Sequence, residues 1–484
     1  ELHDWRLTIE SADGRPVQAR QLVISGGMPG HGHGFPSEPR ITRYLGDGAY
    51  LIEGMKFNMG GLWQIVIGVT GPRGPDSATF EWHVVASAGS RAAPAEGWSA
   101  AETALLESLW IGSLAAPPRD ASNRFSRQPA VAELGKRLFF DRGLSSTGTV
   151  SCSSCHDPDK YFADGKRVSV GTGSTTRNAP SLLGASYHKW FYWDGRRDSL
   201  WAQALTPMES VGEMENTRVN VVRYVLGNEK YASALKKMGG AVSDFGDESR
   251  FPPGAGPYTT AAGKGAWYGM RPEDREAVNR AFSDIGKIIA AYVETLQHAP
   301  SRFDSFVEAL LEGDPAAGAE ILTHDEQQGL RLFLDVGRTH CLRCHNGPLF
   351  TNFGFHNVAT AMSDKGLPDF GRMAGLQAAM VDEFNCRGKY SDARDDRCLE
   401  IRFATEEHNS IGAFKVPGLR DVADTAPYLH DGRLSDLEEV VRFYMRQPEP
   451  ELEPHELLPL TLSDGEVEQM VAFLRTLSGT DSPK

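Results

Sequence analysis

Two pentapeptides of the form Cys-x-x-Cys-His carry the most specific chemistry in this chain. They are Cys152-Ser-Ser-Cys155-His156 and Cys341-Leu-Arg-Cys344-His345. In each, two thiols one turn apart are placed to form thioethers with a haem, and the adjacent imidazole is placed to bind its iron. The alternatives are a zinc knuckle and a thiol redox pair, since Cys-x-x-Cys alone serves both. The histidine after each pair favours haem, so the sequence predicts two covalently bound haem c groups with His156 and His345 as iron ligands.

The composition limits the class of protein. The 484 residues are 40% hydrophobic and 24% charged, which is ordinary for a globular protein. They contain no run of about 18 apolar residues, so the sequence predicts no membrane span. The net charge of -14 argues against a nucleic-acid partner.

Two cysteines remain once the haem motifs are assigned. Cys386 and Cys398 flank a short polar loop, and the sequence predicts a disulfide between them. A disulfide and covalent haem both indicate an oxidising compartment. The chain starts at Glu1 without a methionine, as a chain does after removal of an export signal. We therefore expect a periplasmic location.

The elements that must position these groups fall into two parts. Residues 1–87 contain short β-branched and aromatic segments between Gly, Pro and Asp turns, which predicts a small all-β sandwich. Residues 88–98 are typical of a linker. The pattern then becomes helical, and we expect a mainly α pair of cytochrome c-type haem domains at 99–322 and 323–484. The clearest predicted helices are 101–111, 130–140, 219–226, 272–297, 301–312, 323–335 and 437–445.

A series of ordered motifs between residues 99 and 478 makes the pattern more specific. Besides the haem motifs they include Leu134-Gly-Lys-Arg-Leu-Phe-Phe-Asp141, Arg177-Asn-Ala-Pro180, Trp193-Asp-Gly-Arg196, Val416-Pro-Gly-Leu-Arg420 and Ala426-Pro-Tyr-Leu-His-Asp-Gly432. In this order they resemble the bacterial di-haem cytochrome c peroxidase and MauG superfamily. The resemblance implies that the first haem reacts with peroxide, that the second transfers electrons, and that Trp193 relays electrons or holes between them. Without the motif, a buried core position is the commoner fate of a tryptophan.

The resemblance also implies which residues surround the first haem. Gln203, Pro207 and Glu213 follow Trp193 at the family's spacing for the pocket where peroxide binds. Glu213 is the expected general acid/base, because a carboxylate can move a proton between the two oxygens of peroxide. Pro207 would wall the pocket and Gln203 would donate a hydrogen bond. Sixteen residues after His156, where peroxidases of the family carry a second histidine, this chain has Thr172, so we expect an open first haem.

The sixth ligand of the second haem separates the branches of the family. Fourteen residues after His430, peroxidases carry methionine and MauG carries tyrosine. This chain has Tyr444 at that position and Met445 one position later. Adjacent helical residues point about 100° apart, so both cannot face the iron. We favour Tyr444, whose phenolate would lower the haem potential, and keep Met445 as the alternative.

Family members also hold a calcium ion between the haems. The matching positions are Asn178, Thr425 and Pro427. They offer one side-chain oxygen and two backbone carbonyls, which are the donors a hard cation requires. The resemblance therefore adds calcium to the two haems.

A Gly-rich segment in the amino-terminal part carries two histidines. His31 and His33 lie in Gly27-Met-Pro-Gly-His-Gly-His-Gly34, and Met55 and Met59 follow. Imidazole and thioether together suit copper, particularly Cu(I). This part also resembles YtkA-like domains. The alternative is a flexible turn whose histidines are solvated.

These observations predict a periplasmic MauG-like di-haem oxidoreductase. Peroxide would react at the first haem with help from Glu213, and oxidising equivalents would be stored at, or passed to, a His345/Tyr444 haem. The oxidised substrate would be a protein side chain or another reductant. The first alternative is a cytochrome c peroxidase that reduces hydrogen peroxide to water with electrons from a small cytochrome or cupredoxin. The second is a non-catalytic electron-transfer or copper-binding protein, which requires both irons to be blocked.

Overall fold

The structure is a computed structural model that describes residues 2–11, 14–28, 33–57, 61–71, 74–84, 97–239, 244–362, 366–394, 397–405, 410–446, 448–449 and 452–479. A β domain comes first and two helical cores follow. The prediction of a small all-β sandwich before mainly α haem domains is confirmed. Most of the predicted linker at 88–98 lies outside the described residues.

Two antiparallel sheets pack face to face in the β domain. The described strands are β1 (Leu2–Thr8), β2 (Gln21–Met28), β3 (His33–Gly34), β4 (Arg40–Gly46), β5 (Ala49–Lys56), β6 (Gly61–Gly71) and β7 (Gly74–Val84). One sheet has the order β1-β5-β4 and the other β3-β2-β6-β7. Because successive side chains of a strand face opposite sides, alternate residues of β6 point inward. Trp63, Ile65 and Ile67 therefore meet Ile52 of β5 in a shared apolar core.

The remainder of the described chain is built mainly from helices. They are α1 (Ala100–Leu109), α2 (Pro129–Phe139), α3 (Leu200–Glu209), α4 (Arg218–Gly227), α5 (Glu229–Lys237), α6 (Ala261–Gly269), α7 (Pro272–Val293), α8 (Arg302–Leu311), α9 (Pro315–Ile321), α10 (His324–Leu334), α11 (Arg372–Val381), α12 (Leu399–Arg402), α13 (Leu437–Met445) and α14 (Asp464–Arg475). A short pair of strands, β8 (Phe355–His356) and β9 (Phe414–Lys415), lies among them.

Every helix predicted from the sequence is present, with small differences at the ends. Capping boxes begin several of them, for example Ser99 with Glu102 at α1, because the two side chains satisfy backbone N–H groups that a helix leaves free. Helix α7 ends at Val293 rather than at residue 297. The Thr295 hydroxyl donates to the Tyr292 carbonyl at 2.7 Å, which replaces the helical hydrogen bonding there.

The first helical core gathers α2, α3, α4 and α7. Trp201, Leu205, Phe282 and Ile288 are all buried in it. Gly286 lets α3 approach α7 closely, since a Cβ at this position would lie 2.7 Å from the Trp201 carbonyl oxygen. This core lies on the side of the first haem motif.

The second helical core gathers α1, α8, α10, α13 and α14. Leu106, Phe303, Phe333 and Phe473 are buried together in it. Helices α1 and α8 precede residue 323 in sequence but pack here. The second core therefore draws on segments that are far apart along the chain.

The β domain docks on a module closed by a disulfide. Cys386 and Cys398 are bonded, which confirms that prediction. Helix α12 starts one residue after Cys398, and Lys56 Nζ of β5 lies 2.9 Å from Glu400 of this helix. The Glu38 N–H also donates to the Phe403 carbonyl at 2.7 Å. Among the described helices, none is both long and apolar enough for a membrane span.

Candidate functional site

One cavity of about 640 Å³ lies between the two helical cores and reaches both haem motifs. Its walls are mainly apolar. The motif residues that line it are Cys152, Cys155, His156, Cys341, Cys344 and His345. Groups bound at the two motifs would therefore share a single cavity.

The two motif histidines are held in the same way. His156 Nδ1 donates to the Phe162 carbonyl at 2.9 Å, and His345 Nδ1 donates to the Phe350 carbonyl at 3.0 Å. Both phenylalanines adopt left-handed backbone angles, with φ of 57° and 53°. Burial lowers the pKa of both imidazoles, that of His345 to about 4. Each ring is therefore neutral and leaves Nε2 free to bind a metal, as an iron ligand must.

The cavity fits haem c by its donors and by its walls. Each motif offers two half-buried thiols and one oriented imidazole, which is the attachment set of a c-type haem. Arg177 Nε and Thr360 Oγ1 are buried at the wall with no hydrogen-bond partner among the described residues. Buried polar groups normally have partners, so these two suit a ligand with a polar edge.

Helix α3 supplies the wall opposite the first motif. Gln203 and Pro207 are four residues apart, so both face the same side of the helix, and both line the cavity. Glu213 follows the helix end and lines the cavity beside them. The loop that carries it folds back onto the helix, because the Met214 N–H donates to the Pro207 carbonyl at 3.1 Å. The structure thus brings the three predicted residues together.

The carboxyl group of Glu213 is held in an apolar setting. Burial raises its pKa, although a hydrogen bond from Ser210 and the charge of Arg196 act in the opposite direction. The backbone N–H of Thr172 donates to the Glu213 carbonyl oxygen at 2.8 Å. A Cβ at Gly171 would meet the same oxygen at 2.1 Å, so only glycine fits there. A group with a raised pKa at a cavity wall suits proton transfer.

Thr172 lies sixteen residues after His156, at the position that would carry a second histidine in a peroxidase. Its hydroxyl donates to the Val211 carbonyl at 3.0 Å and is also 3.3 Å from the Glu213 carbonyl oxygen. Thr172 is not among the residues that line the cavity. Its side chain therefore supports the Glu213 loop instead of facing the first motif.

Trp193 is fastened to both sides of the cavity. Its indole Nε1 donates to the Asn178 carbonyl at 3.0 Å, and its own carbonyl accepts from the Lys415 N–H at 2.7 Å. Asn178 follows the first haem motif in sequence and Lys415 follows the second. The indole is buried and lines the cavity, so its place between the motifs is compatible with a relay.

Helix α13 presents Tyr444 to the cavity beside the second motif. Tyr444 lines the cavity, whereas Met445 packs against the second core without lining it. Burial raises the pKa of the Tyr444 phenol above its ordinary value. The geometry therefore brings the tyrosine, and not the methionine, to the cavity wall.

The three predicted calcium residues meet at the same cavity. Asn178, Thr425 and Pro427 all line it. The Asn178 side chain donates from Nδ2 to the Lys166 carbonyl at 2.9 Å, which leaves its oxygen free. No cluster of three or more His, Cys, Asp or Glu suited to a metal occurs in the described ranges. A cation here would therefore depend on neutral oxygens.

The predicted copper residues are only partly described. His31 and Met59 lie outside the described residues, and of His33 only the backbone, in β3, is described. Met55 is fully buried in the core between the two sheets.

Several charged or titratable residues of the cavity wall were missed from the sequence, among them Lys415, His188 and His298. Lys415 is half-buried, and desolvation of its ammonium group lowers its pKa to about 8. His188 and His298 also line the cavity. A lysine in the apolar stretch Ala413-Phe-Lys-Val416 was an available signal. The two histidines lie in separate segments with no local pattern, and only the fold brings them to this wall.

Comparison with known proteins gives two family matches and several relatives. The family described as di-haem cytochrome c peroxidase matches residues 129–310, and the YtkA-like family matches residues 3–68. The chain is 33% identical over 368 residues to the cytochrome-c peroxidase IdrP2 of Pseudomonas sp. (strain SCT), covering 75% of this chain and 84% of that protein. It is 31% identical to the methylamine utilization protein MauG of Methylorubrum extorquens, covering 72% and 78%.

A solved structure shows the same fold. It is that of a MauG-like protein associated with microbial copper homeostasis, with a TM-score of 0.52 and 23% identity. The match covers 77% of this chain and 95% of that one. With its sequence relatives, this establishes that the chain belongs to the di-haem cytochrome c peroxidase and MauG family and is a haem-dependent oxidoreductase with a YtkA-like amino-terminal domain.

Proposed function

We propose that this oxidoreductase takes hydrogen peroxide at the His156 side of the cavity and delivers oxidising equivalents, through Trp193, to a second side formed by His345 and Tyr444. The observation that carries the proposal is the half-buried Glu213 carboxyl, with its raised pKa, at the same cavity wall as Gln203 and Pro207. Haem c at each motif supplies the redox chemistry, through an iron that reacts with peroxide and holds oxidising equivalents.

Glu213 would move one proton during cleavage of the O–O bond. Its carboxylate accepts the proton of one peroxide oxygen and returns it to the other, which leaves as water. The raised pKa favours this exchange, because the group takes up and releases a proton near neutral pH more readily than an exposed glutamate. Pro207 excludes solvent from the pocket, and the Gln203 amide can donate a hydrogen bond to the bound oxygen.

The hydrogen bonds of the Thr172 side chain support a first haem site without a second protein ligand. Its hydroxyl is engaged with the carbonyl oxygens of Val211 and Glu213. The hairpin of residues 170–174, which is closed by a bridge between Val170 and Ser174, therefore contributes no imidazole to the cavity. Peroxide would reach the His156 side without prior displacement of a ligand from this hairpin.

Tyr444 on the other side favours storage of oxidising equivalents. A phenolate ligand stabilises the oxidised metal, whereas a thioether such as that of Met445 raises the potential. Because Tyr444 lines the cavity and Met445 does not, we favour the MauG-like reading.

The second candidate is a cytochrome c peroxidase that takes electrons from a small cytochrome or cupredoxin. Relatives that carry this name, including IdrP2, favour it. Rapid steady-state turnover with such a protein donor, combined with Met445 ligation, would select it over the MauG-like reading.

We also propose calcium at Asn178, Thr425 and Pro427, since their free oxygens line the wall between the motifs. Elemental analysis of the purified protein, before and after a calcium chelator, tests this site. The expected result is one calcium ion per chain that the chelator removes. A calcium-free protein with unchanged haem spectra would contradict it.

For the amino-terminal domain we propose copper binding by His31 and His33. The motif carries this proposal, and a related fold is that of a protein associated with copper homeostasis. Loss of Cu(I) uptake in the full chain on changing both histidines to alanine is expected. Equal uptake by the variant and the parent would contradict it.

The proposed location is the periplasm. It rests on the Cys386–Cys398 disulfide and on two covalent haem motifs, which both belong to oxidising compartments. Fractionation of the native cells tests it.

Electron paramagnetic resonance before and after stoichiometric peroxide tests the main proposal. The resting protein should show one high-spin and one low-spin ferric haem, and both signals should fall after peroxide is added. Two low-spin signals that do not respond to peroxide would reject the proposal and favour an electron carrier.

A further inference from the structure

A second, open cleft of about 450 Å³ lies beside the haem cavity. Its rim carries the exposed residues Arg127, Gln128 and Thr295. Its lining includes the apolar residues Ile111, Leu114, Pro117, Pro118 and Pro129 together with the polar residues Ser186, Tyr187 and Gln297. Its size is within the range of sites that bind small molecules.

Only one layer of side chains separates this cleft from the haem cavity. His298 and Leu349 line both spaces. The Nδ1 atom of His298 donates to Asp421 Oδ2 at 2.7 Å, and Asp421 Oδ1 accepts from the Gly479 N–H at 2.7 Å. The carboxylate therefore fixes the orientation of the imidazole, and Nε2 is the ring nitrogen that Asp421 does not engage.

The interior of the cleft holds an unpaired acceptor. Glu294 is 9% exposed, and its Oε2 accepts from Ser126 Oγ at 3.0 Å and from the Arg127 N–H at 2.9 Å. Its Oε1 is buried with no hydrogen-bond partner. Arg127 is held in a left-handed backbone conformation, with φ of 59°, as it makes this contact. A buried oxygen without a donor suits a ligand that brings an O–H group.

We propose that this cleft binds a small phenolic reductant, the electron donor of the peroxide reaction. The proposal rests on the function proposed above. The apolar prolines and aliphatic side chains fit an aromatic ring, and Glu294 Oε1 and His298 Nε2 are acceptors for its hydroxyl. The interior carboxyl disfavours anionic ligands.

The electron and proton leave the phenol together. The phenolic O–H bond breaks, the proton goes to His298 Nε2, and the electron crosses the His298 and Leu349 layer into the haem cavity. The product is a phenoxyl radical, which departs through the open rim. Two phenols reduce one hydrogen peroxide to two waters, so atoms and electrons balance.

Binding of guaiacol to the haem-loaded full chain, measured by calorimetry without peroxide, is the first test. Thr295→Trp would fill the mouth of the cleft, and we expect at least about tenfold weaker binding, which corresponds to about 1.4 kcal/mol. Ser233→Trp, on the exposed surface of α5, is the matched control and should bind as the parent does. Circular dichroism checks that each variant is folded. Equal binding by both tryptophan variants, or no binding by the parent, would overturn the proposal.

A second test separates proton transfer from binding. His298→Gln keeps a hydrogen-bonding side chain, so guaiacol should bind within about threefold of the parent. Its oxidation with peroxide should slow by about a hundredfold and lose its solvent deuterium isotope effect. An unchanged rate and isotope effect would remove His298 from the mechanism. If the parent does not react with peroxide alone, the proposed function fails, whereas the calorimetric test of the cleft remains readable.

Discussion

The two motif histidines of the haem cavity have the same kind of hydrogen-bond partner on their Nδ1 side, and the cavity walls across from them differ. On the Nδ1 side, His156 and His345 each donate to the carbonyl of a phenylalanine in the left-handed conformation. Across the cavity, the first side meets the polar loop of Glu213, whereas the second meets Tyr444 on α13. The attachment geometry is repeated and the opposite wall is not. The division of labour that we propose for the two sides therefore rests on the different walls opposite the two motif histidines.

Tertiary contacts support each opposite wall differently. The Glu213 loop is held by backbone hydrogen bonds to the hairpin around Thr172 and to α3. Tyr444 is held by the packing of α13 in the second core. The wall across from His156 thus holds the Glu213 carboxyl on a hydrogen-bonded loop. The wall across from His345 holds the Tyr444 ring by helix packing. Changes to either wall are the direct way to test the comparison.

The largest effect is expected from Glu213→Gln. It removes the proton acceptor, and the rate of the peroxide reaction should fall by about 10²- to 10⁴-fold. Because burial raises the pKa of Glu213, the carboxylate form appears only above the ordinary range of a glutamate. The parent's rate should therefore rise with pH in that raised range, and the variant's rate should not. Stopped-flow absorbance measures both.

Glu215→Gln is the matched control for this change. Glu215 is exposed, two positions along the same loop, and loses the same charge. It should react with peroxide at the parent's rate. If both variants lose activity equally, the loop's net charge matters and the role of Glu213 as proton acceptor is wrong.

The next effect is expected from Tyr444→Phe, which removes the oxygen that faces the second motif. The low-spin ferric signal of the His345 side should be replaced by a different haem signal. The yield of stored oxidising equivalents should fall by about tenfold or more, because phenolate no longer stabilises the oxidised metal. Met445→Leu should leave both unchanged. The opposite pattern in the two spectra would assign the ligand to Met445 and make this side peroxidase-like.

Removal of the disulfide should have a moderate effect on stability and none on the difference between the two sides. The double variant Cys386→Ser/Cys398→Ser should lose about 2 to 3 kcal/mol of folding free energy. Urea denaturation measures this loss. The paramagnetic resonance spectrum should remain that of the parent, because the module docks the β domain and does not line the cavity. If the two haem signals became alike in this variant, the segment closed by the Cys386–Cys398 disulfide would be needed for the difference between the two haem sites.

The smallest effect is expected from Thr172→Val, which keeps the shape of the side chain and removes its hydroxyl. The Glu213 loop loses a hydrogen bond worth about 1 kcal/mol, so the peroxide reaction should slow by only a few fold. Stopped-flow absorbance again measures the rate. A loss as large as that of Glu213→Gln would mean that Thr172 takes part in the reaction itself.

Much of the local structure could be predicted from neighbouring residues. Helices such as α13 follow from the spacing of apolar residues. The strands β5 and β6 follow from short β-branched and aromatic segments between turn residues. Helix α3, which carries Gln203 and Pro207, is not among the predicted helices, and its internal proline is a residue that disfavours helices. Strand β2 was missed because its glycines weaken the strand pattern.

The sequence alone predicted where haem attaches, since two thiols and an imidazole in one pentapeptide are the attachment set of a c-type haem. The tertiary structure decided what each motif faces. It brought Tyr444 rather than Met445 to the cavity, packed α1 and α8 into the second core, and placed His298 between the cavity and the cleft. Attachment depends on residues adjacent along the chain. Which residues face each other across a cavity depends on packing between distant segments, and no local sequence pattern predicts it.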